Sequence, residues 1–500
     1  MKPIVADIGF KKNKIALFLL LGVLILLSVF LCAWLERAWP FVFAIIYLSL
    51  LISIGLRSTF WLLGILIFLH PLIPYYPIEA LRGAALQDIF FVFSIPILLM
   101  AVPLKNRRRA YPLIIPYIAL ASWALLSAIA TQDNIPDFLV AFAKGTGRPL
   151  IIALTALFVA TTISDFKRST LLYKLIALSA TLQAVIGILA FAFNIEIIAG
   201  NLHLGVMNLP YPMAPIVHIS RRLHGTFCTG NLTGAYFVAI LPLTLSLIIN
   251  SKKLFEKIFW VTCFFLQTSA LILTYTRASL VAAGFALILF LLLLSKSGHL
   301  KITLFALIIL LSAFALLQAI LPEGITIVKS RFISIRPEVR LAPAWAGLMM
   351  LAEHPVWGVG VDNAVPLMES DPRYSQTPFG ETYIRPHNSF IFIGAELGLL
   401  ASLILLWAFI SISKFILKAW RSSINESQIL LSAAVLSGWF GQFIHSFTNN
   451  LYHHPSLMVT QIALIAALTP IIYSNSKINE NRKGGPPLET SITGYKERRN

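Results

Sequence analysis

The chain has 500 residues, of which 58% are hydrophobic and only 12% charged. Soluble domains carry about a quarter charged residues, so this composition excludes one and predicts a polytopic membrane protein. Its backbone polar groups must then be satisfied inside helices, because hydrocarbon offers no partners. The net charge of +18 is unevenly placed. Assigning alternate loops to the cytoplasm collects roughly two thirds of the Lys and Arg residues there but only about a third of the acids. Lys11, Lys12, Lys14, Lys105, Arg107, Arg108 and Arg109 are among them. The basic excess therefore reads as membrane topology and contact with anionic membrane lipids, and no nucleic-acid partner is expected.

Taken in chain order, apolar runs occur near 15–35, 40–56, 58–72, 87–103, 112–131, 149–163, 169–193, 231–249, 257–274, 278–295, 302–321, 388–413, 428–447 and 455–473. These runs predict an all-α, polytopic transmembrane bundle of about 12–14 spans. The uncertainty in number comes from the short runs 40–56, 58–72 and 149–163, which read as re-entrant or fused segments. Either even number puts both termini on one side, the cytoplasmic one. The first run follows a basic start without a small-residue cleavage site, which is the pattern of an uncleaved signal anchor. The implied organisation is an N-terminal membrane bundle (1–321), a long periplasmic loop (322–387), C-terminal membrane helices (388–474) and a tail (475–500). The tail contains Gly484-Gly485-Pro486-Pro487 and reads as disordered and cytoplasmic.

Two loops on the non-cytoplasmic side are large enough for chemistry, about 194–230 and 322–387. The longer one carries six Lys/Arg against seven Asp/Glu, and an amphipathic helix is expected from Glu338 to Glu353. Pro355, Gly358 and Gly360 follow as a turn-rich stretch that should pack back onto the bundle. Trp345, Trp357, Tyr374, Phe379 and Tyr383 argue for an ordered loop. Cys32, Cys228 and Cys263 have neither paired nor metal-ligand spacing and read as small buried hydrophobes.

His387 stands where this loop re-enters an apolar helix, in Arg385-Pro386-His387-Asn388-Ser389. Histidine accepts a proton near neutral pH, which makes it the candidate base; the bland alternative is a polar boundary residue. Asn388 or Ser389 would cap the following helix. Arg277, in Tyr275-Thr276-Arg277-Ala278-Ser279, lies between two apolar runs with almost no loop. A guanidinium there either binds an oxyanion through its planar fork or caps a hairpin at the interface. Arg221 and Arg222 precede Leu223-His224-Gly225-Thr226-Phe227 and the small residues Asn231 and Gly234 at a helix entrance. That arrangement suits an anion, and a solvated loop pair is the alternative. Together, Arg222 and Arg277 would form a phosphate clamp. A base and two arginine sites on one side of the membrane point to chemistry on an anionic lipid. Arg148, Lys144, Glu396, Gln442, His445, Asn449 and the pair His453-His454 lie near the same face. No further ligands are spaced to complete a metal site with the two histidines, so none is expected. Asp-x-Asp, Walker and Gly-x-Ser-x-Gly patterns are absent, leaving nucleotide-sugar and ATP chemistry through those devices unsupported.

The run from Arg222 to Phe227 with Asn231, Gly234 and Tyr236 resembles the middle of O-antigen ligase and polymerase proteins, as does Thr276-Arg277-Ala278-Ser279. Trp345 through Glu353-His354-Pro355 to Gly358, Gly360 and Asn363 is similar to their long periplasmic loop. His387-Asn388 followed by a spaced Gly398 resembles the ligase signature. The likeness covers roughly residues 220–400. It implies a GT-C-like, inverting, metal-independent glycosyltransferase of the bacterial inner membrane with no cofactor. Its donor would be O-antigen on undecaprenyl pyrophosphate and its acceptor a sugar of lipid A–core, joined at the periplasmic face. On that resemblance His387 activates the acceptor hydroxyl and Arg222 and Arg277 hold the pyrophosphate, with Asn388, Arg221, Arg385, Arg148 and Tyr275 in support. O-antigen polymerase, protein O-oligosaccharyltransferase and a lipid or polysaccharide transporter remain as alternatives.

Overall fold

A helix that is apolar on every side needs neighbours on every side. The helix Gly230–Asn250 meets that demand, being buried almost continuously from Gly230 to Ile248. In the computed structural model, residues 58–73, 77–78, 84–85, 107–193, 197–198, 201–202, 222–227, 229–294 and 338–473 are described. The expected runs 15–35, 40–56, 87–103 and 302–321 lie outside them, as do Arg221, Cys32, Cys228, the first part of the long loop and the tail.

The described helices used below are α1 (Thr59–Leu69), α2 (Tyr111–Thr131), α3 (Ile135–Ala141), α4 (Arg148–Thr162) and α5 (Phe166–Ala192). They continue with α6 (Gly230–Asn250), α7 (Leu254–Leu273), α8 (Arg277–Leu294) and α9 (Glu338–Glu353). The chain closes with α10 (Ser389–Leu397), α11 (Leu399–Arg421), α12 (Glu426–Ser446) and α13 (Pro455–Ala466). Eight helical segments among the described residues are long and apolar enough to cross a membrane. Thr59–Leu72 and Leu457–Tyr473 are shorter apolar helices. The strands among the described residues are three two-residue antiparallel pairs, so the protein is an all-α polytopic membrane protein.

Helix starts follow their capping chemistry. The side chains of Asn134, Asp165, Thr229 and Asn425 each accept a hydrogen bond from a backbone N–H three residues on. Around α6 the bundle closes through small residues, because dispersion contacts between helices reward close backbone approach in lipid. A Cβ at Gly438 of α12 would lie 2.5 Å from the Ala239 carbonyl oxygen, and one at Gly441 would lie 2.8 Å from Val238.

Two expected spans differ from their sequence outline. The short run 149–163 becomes long because a π-helical turn, Phe142–Gly147, fuses α3 and α4 into a 28-residue segment, Ile135–Thr162. The run 388–413 is instead broken at Gly398, whose φ of 84° no L-residue adopts readily. This leaves α10 as a nine-residue helix, too short to span, and α11 as the crossing segment.

The helix expected from Glu338 to Glu353 forms over those residues as α9 and packs on α10. Behind it the glycine turn docks as the sequence anticipates. Val359 and Gly360 N–H donate to the Ala395 and Glu396 carbonyls at 2.9 and 3.0 Å. Leu399 N–H donates to the Pro355 carbonyl at 2.9 Å. Trp123 and Ser127 of α2 donate to the Leu397 and Trp357 carbonyls, and the Trp123 and Trp357 rings stack with centroids 4.7 Å apart.

A Cβ at Gly398 would stand 1.9 Å from the Val356 carbonyl oxygen, whereas nothing lies within 4 Å of one at Gly284. Gly398→Ala is expected to lower stability by at least about 1 kcal/mol from its left-handed backbone alone, with the collision added. Gly284→Ala, inside α8, should leave the thermal midpoint in detergent unchanged or raised. Equal midpoints for both variants would contradict the docking of the glycine turn.

Candidate active site

Residues 274–276 alone separate α7 from α8, and the reversal is sharp: Tyr275 has φ 48°. Its buried ring meets Phe191 edge-on, with centroids 6.4 Å apart, and so pins the turn. Arg277 then opens α8, half-buried at the same end of the bundle as the start of α6. The approach of α8 to α6 requires glycine: a Cβ at Gly234 would fall 2.3 Å from Ser279 Oγ.

A chain of side-chain hydrogen bonds secures this end. Thr276 Oγ1 donates to Asn231 Oδ1 at 3.2 Å, and Asn231 Nδ2 donates to Asn449 Oδ1 at 3.0 Å. Asn449 Nδ2 faces His445 Nδ1 at 3.4 Å, and His445 Nε2 lies 2.7 Å from Ser279 Oγ. With the Asn449 amide as donor, His445 carries its proton on Nε2 and donates to Ser279. The buried His445 thereby ties α12 to the first turn of α8, where Arg277 projects.

His387 reaches this place from the long loop. Asn388 caps α10 as expected, its Oδ1 accepting from Phe390 and Ile391 N–H at 2.9 and 3.1 Å. Ser389 Oγ donates to the Asn449 carbonyl at 2.8 Å and accepts from Leu451 N–H at 3.1 Å. The first turn of α10 and the Asn449 segment are thus stitched together directly. Burial, then the Arg340 charge, lower the His387 imidazole below its usual range, so the neutral, proton-accepting form is favoured at neutral pH.

Arg340 is the residue that sequence reading missed. It projects from the exposed side of α9, and its charge is felt by Arg277, His387 and His445. Crowding by protein, then the Arg277 charge, lower its own pKa. Among the described residues no carboxylate lies within ion-pair distance of Arg340. The available signal was its place in line with Ala344 and Leu348, at i, i+4 and i+8.

The other expected residues divide between this centre and a neighbouring cluster. Arg222 is half-buried, next to Leu223, whose N–H donates to the Leu273 carbonyl at 3.0 Å. Its Nε is buried without a hydrogen-bond partner. Arg385 and Arg148 gather instead around Asp362, itself at φ 68°. Arg385 pairs with Asp362 Oδ1, and Lys144 Nζ lies 2.6 Å from Oδ2. Burial alone would raise the Asp362 carboxyl; Arg385 and then Lys144 overcome it and hold the group below its usual range. Among the described residues no three His, Cys, Asp or Glu side chains converge as a metal site would require.

One imidazole and two guanidiniums therefore come from three separate elements to one end of the bundle. Such a site can accept a proton while holding an anion in place.

Residues 262–406 match the family model described as O-antigen ligase. The match takes in Arg277, Arg340 and His387, whereas Lys144, Arg148 and Arg222 precede it. No curated protein matches the chain. Over residues 262–406 the chain is thus similar to the O-antigen ligase family, which supports reading it as a member.

Proposed function

We propose that the protein is an O-antigen ligase, moving O-antigen polysaccharide from undecaprenyl pyrophosphate to a sugar hydroxyl of lipid A–core. The observation that carries this reading is that Arg340, inside the matched domain, lies within electrostatic reach of both Arg277 and His387. His387 takes the proton of the acceptor hydroxyl as its oxygen attacks the anomeric carbon. The bond from that carbon to the pyrophosphate oxygen breaks with inversion, and the electron pair leaves on the carrier pyrophosphate. Arg277 and Arg340 stabilise that developing charge, and a fixed donor of this kind contributes about 2.7–4 kcal/mol. Two guanidiniums occupy the electrostatic role that a divalent ion would otherwise fill, which supports a metal-independent step. Arg222, at the neighbouring end of α6, contacts the donor farther along its length.

The orientation rests on charge. Arg107, Arg108, Arg109, Lys167, Arg168, Lys252, Lys253, Lys418 and Arg421 lie at the helix ends away from His387. By the positive-inside pattern that end is cytoplasmic, which puts His387 at the periplasmic face of the inner membrane in a GT-C-like arrangement.

Lipopolysaccharide from a deletion strain separates ligase from polymerase on a gel. Bare core with full-length glycan left on the carrier is expected; core bearing a single repeat would identify a polymerase. His387→Ala should reduce transfer by about a hundredfold or more while donor binding persists. Wild-type turnover by that variant removes the base role.

Arginine geometry gives a second test. Arg277→Gln and Arg340→Gln should each cost on the order of a hundredfold in turnover, and Lys at either position should recover only part, since it lacks the planar fork. Because the Arg340 charge lowers His387, Arg340→Gln should also move the acid limb of kcat/KM to higher pH. An unmoved limb would contradict their electrostatic coupling.

A further inference from the structure

Beside α10, among α2, α4 and α11, lies a cavity of about 40 Å³. Tyr117, Lys144, Arg148 and Glu396 line it with polar groups, while Ile152 and Leu405 belong to its apolar wall. One water needs roughly 10–15 Å³ on this measure, so the space admits a small polyatomic group. Arg277, Arg340 and His387 do not line it.

Two buried polar atoms facing this space lack partners. Glu396 is 3% exposed and its Oε1 has no hydrogen-bond partner; Tyr117 is 1% exposed and its hydroxyl has none. Orphaned polar atoms inside a protein cost free energy, and a bound group with complementary polarity removes that cost. The charge around the space is positive. Asp362 is shared by Lys144 and Arg385 and also feels Arg148, so one carboxylate faces three cations. Glu396, the second acid, is raised by burial to about 7 against the opposing pull of Arg385, so its neutral, proton-donating form is populated near neutrality and an anion bound beside it would favour that form further. Ammonium, guanidinium, phenol and carboxylic acid are then all donors, the set that phosphate oxygens satisfy. Lys144 and Arg148 are four residues apart and so share one side of the helical turn, which packs closely enough that a Cβ at Gly145 would lie 2.8 Å from Val361.

We propose that this cavity binds the phosphate of an anionic membrane lipid, separately from the centre at Arg277, Arg340 and His387. The apolar wall favours a phosphate attached to acyl chains over a free anion. The site stands on its own groups and does not depend on glycan transfer at His387.

The test uses the full chain in phosphatidylcholine nanodiscs, as wild type and with Arg277→Gln and Arg340→Gln introduced to silence the first centre. The probe is dihexanoyl phosphatidic acid, with neutral dihexanoylglycerol as control. The lipid phosphate should bind in both backgrounds and the neutral lipid should not. Lys144→Gln should weaken binding about tenfold or more, as loss of a buried charged partner does, and Lys144→Arg should restore it. Glu396→Gln, which keeps a donor and cannot ionise, should leave binding unchanged or tighter. Binding indifferent to Lys144→Gln overturns the proposal. Weakening by Glu396→Gln shows that an amide donor cannot replace the carboxyl, and overturns the all-donor site equally. Inorganic phosphate competing as well as the lipid reassigns the site to a free anion and ends the lipid assignment.

Discussion

Two guanidiniums held within electrostatic reach of each other repel, and around Arg340 no described carboxylate offsets the cost. Such an arrangement persists only if the surrounding structure prevents the two from swinging apart. Much of the polar bonding at this end of the bundle can be understood in those terms. The chain from Thr276 through Asn231, Asn449 and His445 to Ser279 fixes the first turn of α8, which carries Arg277. The docking of α9 on α10 fixes Arg340, and the Asn388 cap fixes the peptide that bears His387. A dianion placed there would relieve that repulsion, which is why this end of the bundle suits an anion.

The neighbouring cluster shows the opposite economy of charge. Lys144 and Arg385 share Asp362, so those cations are largely compensated and hold the long loop to the π-helical turn. Arg385 is two residues from His387, which makes this ion pair a brace for the peptide carrying that histidine. The protein thus gathers one group of cations around a shared carboxylate and another within electrostatic reach of its own imidazole.

His387 and Arg277 stand out in the sequence because each interrupts hydrocarbon at a boundary, where a polar residue needs a reason. The helix from Glu338 to Glu353 was legible from its apolar stripe and the glycines after it. That same stripe hid Arg340, because one cation in a charge-balanced loop reads as a solvated face. Arg222 and Arg277 share sidedness in the sequence, and the bond from Leu223 N–H to the Leu273 carbonyl brings their segments to the same end of the bundle. The break at Gly398 was hidden because a glycine in an apolar run reads as tolerated; its left-handed backbone appears only when Val356 packs against it. The run at 149–163 looked too short because a π turn containing lysine and three small residues, Phe142–Gly147, carries no hydropathy signal of its own.

The most direct measurement is a cryo-electron microscopy map of the full chain with bound undecaprenyl pyrophosphate. The account requires pyrophosphate density between Arg277 and Arg340, within about 3 Å of both guanidiniums, with His387 facing the space beyond the phosphate farther from the lipid chain. Pyrophosphate seated against Lys144 and Arg148, or away from His387 altogether, would contradict it.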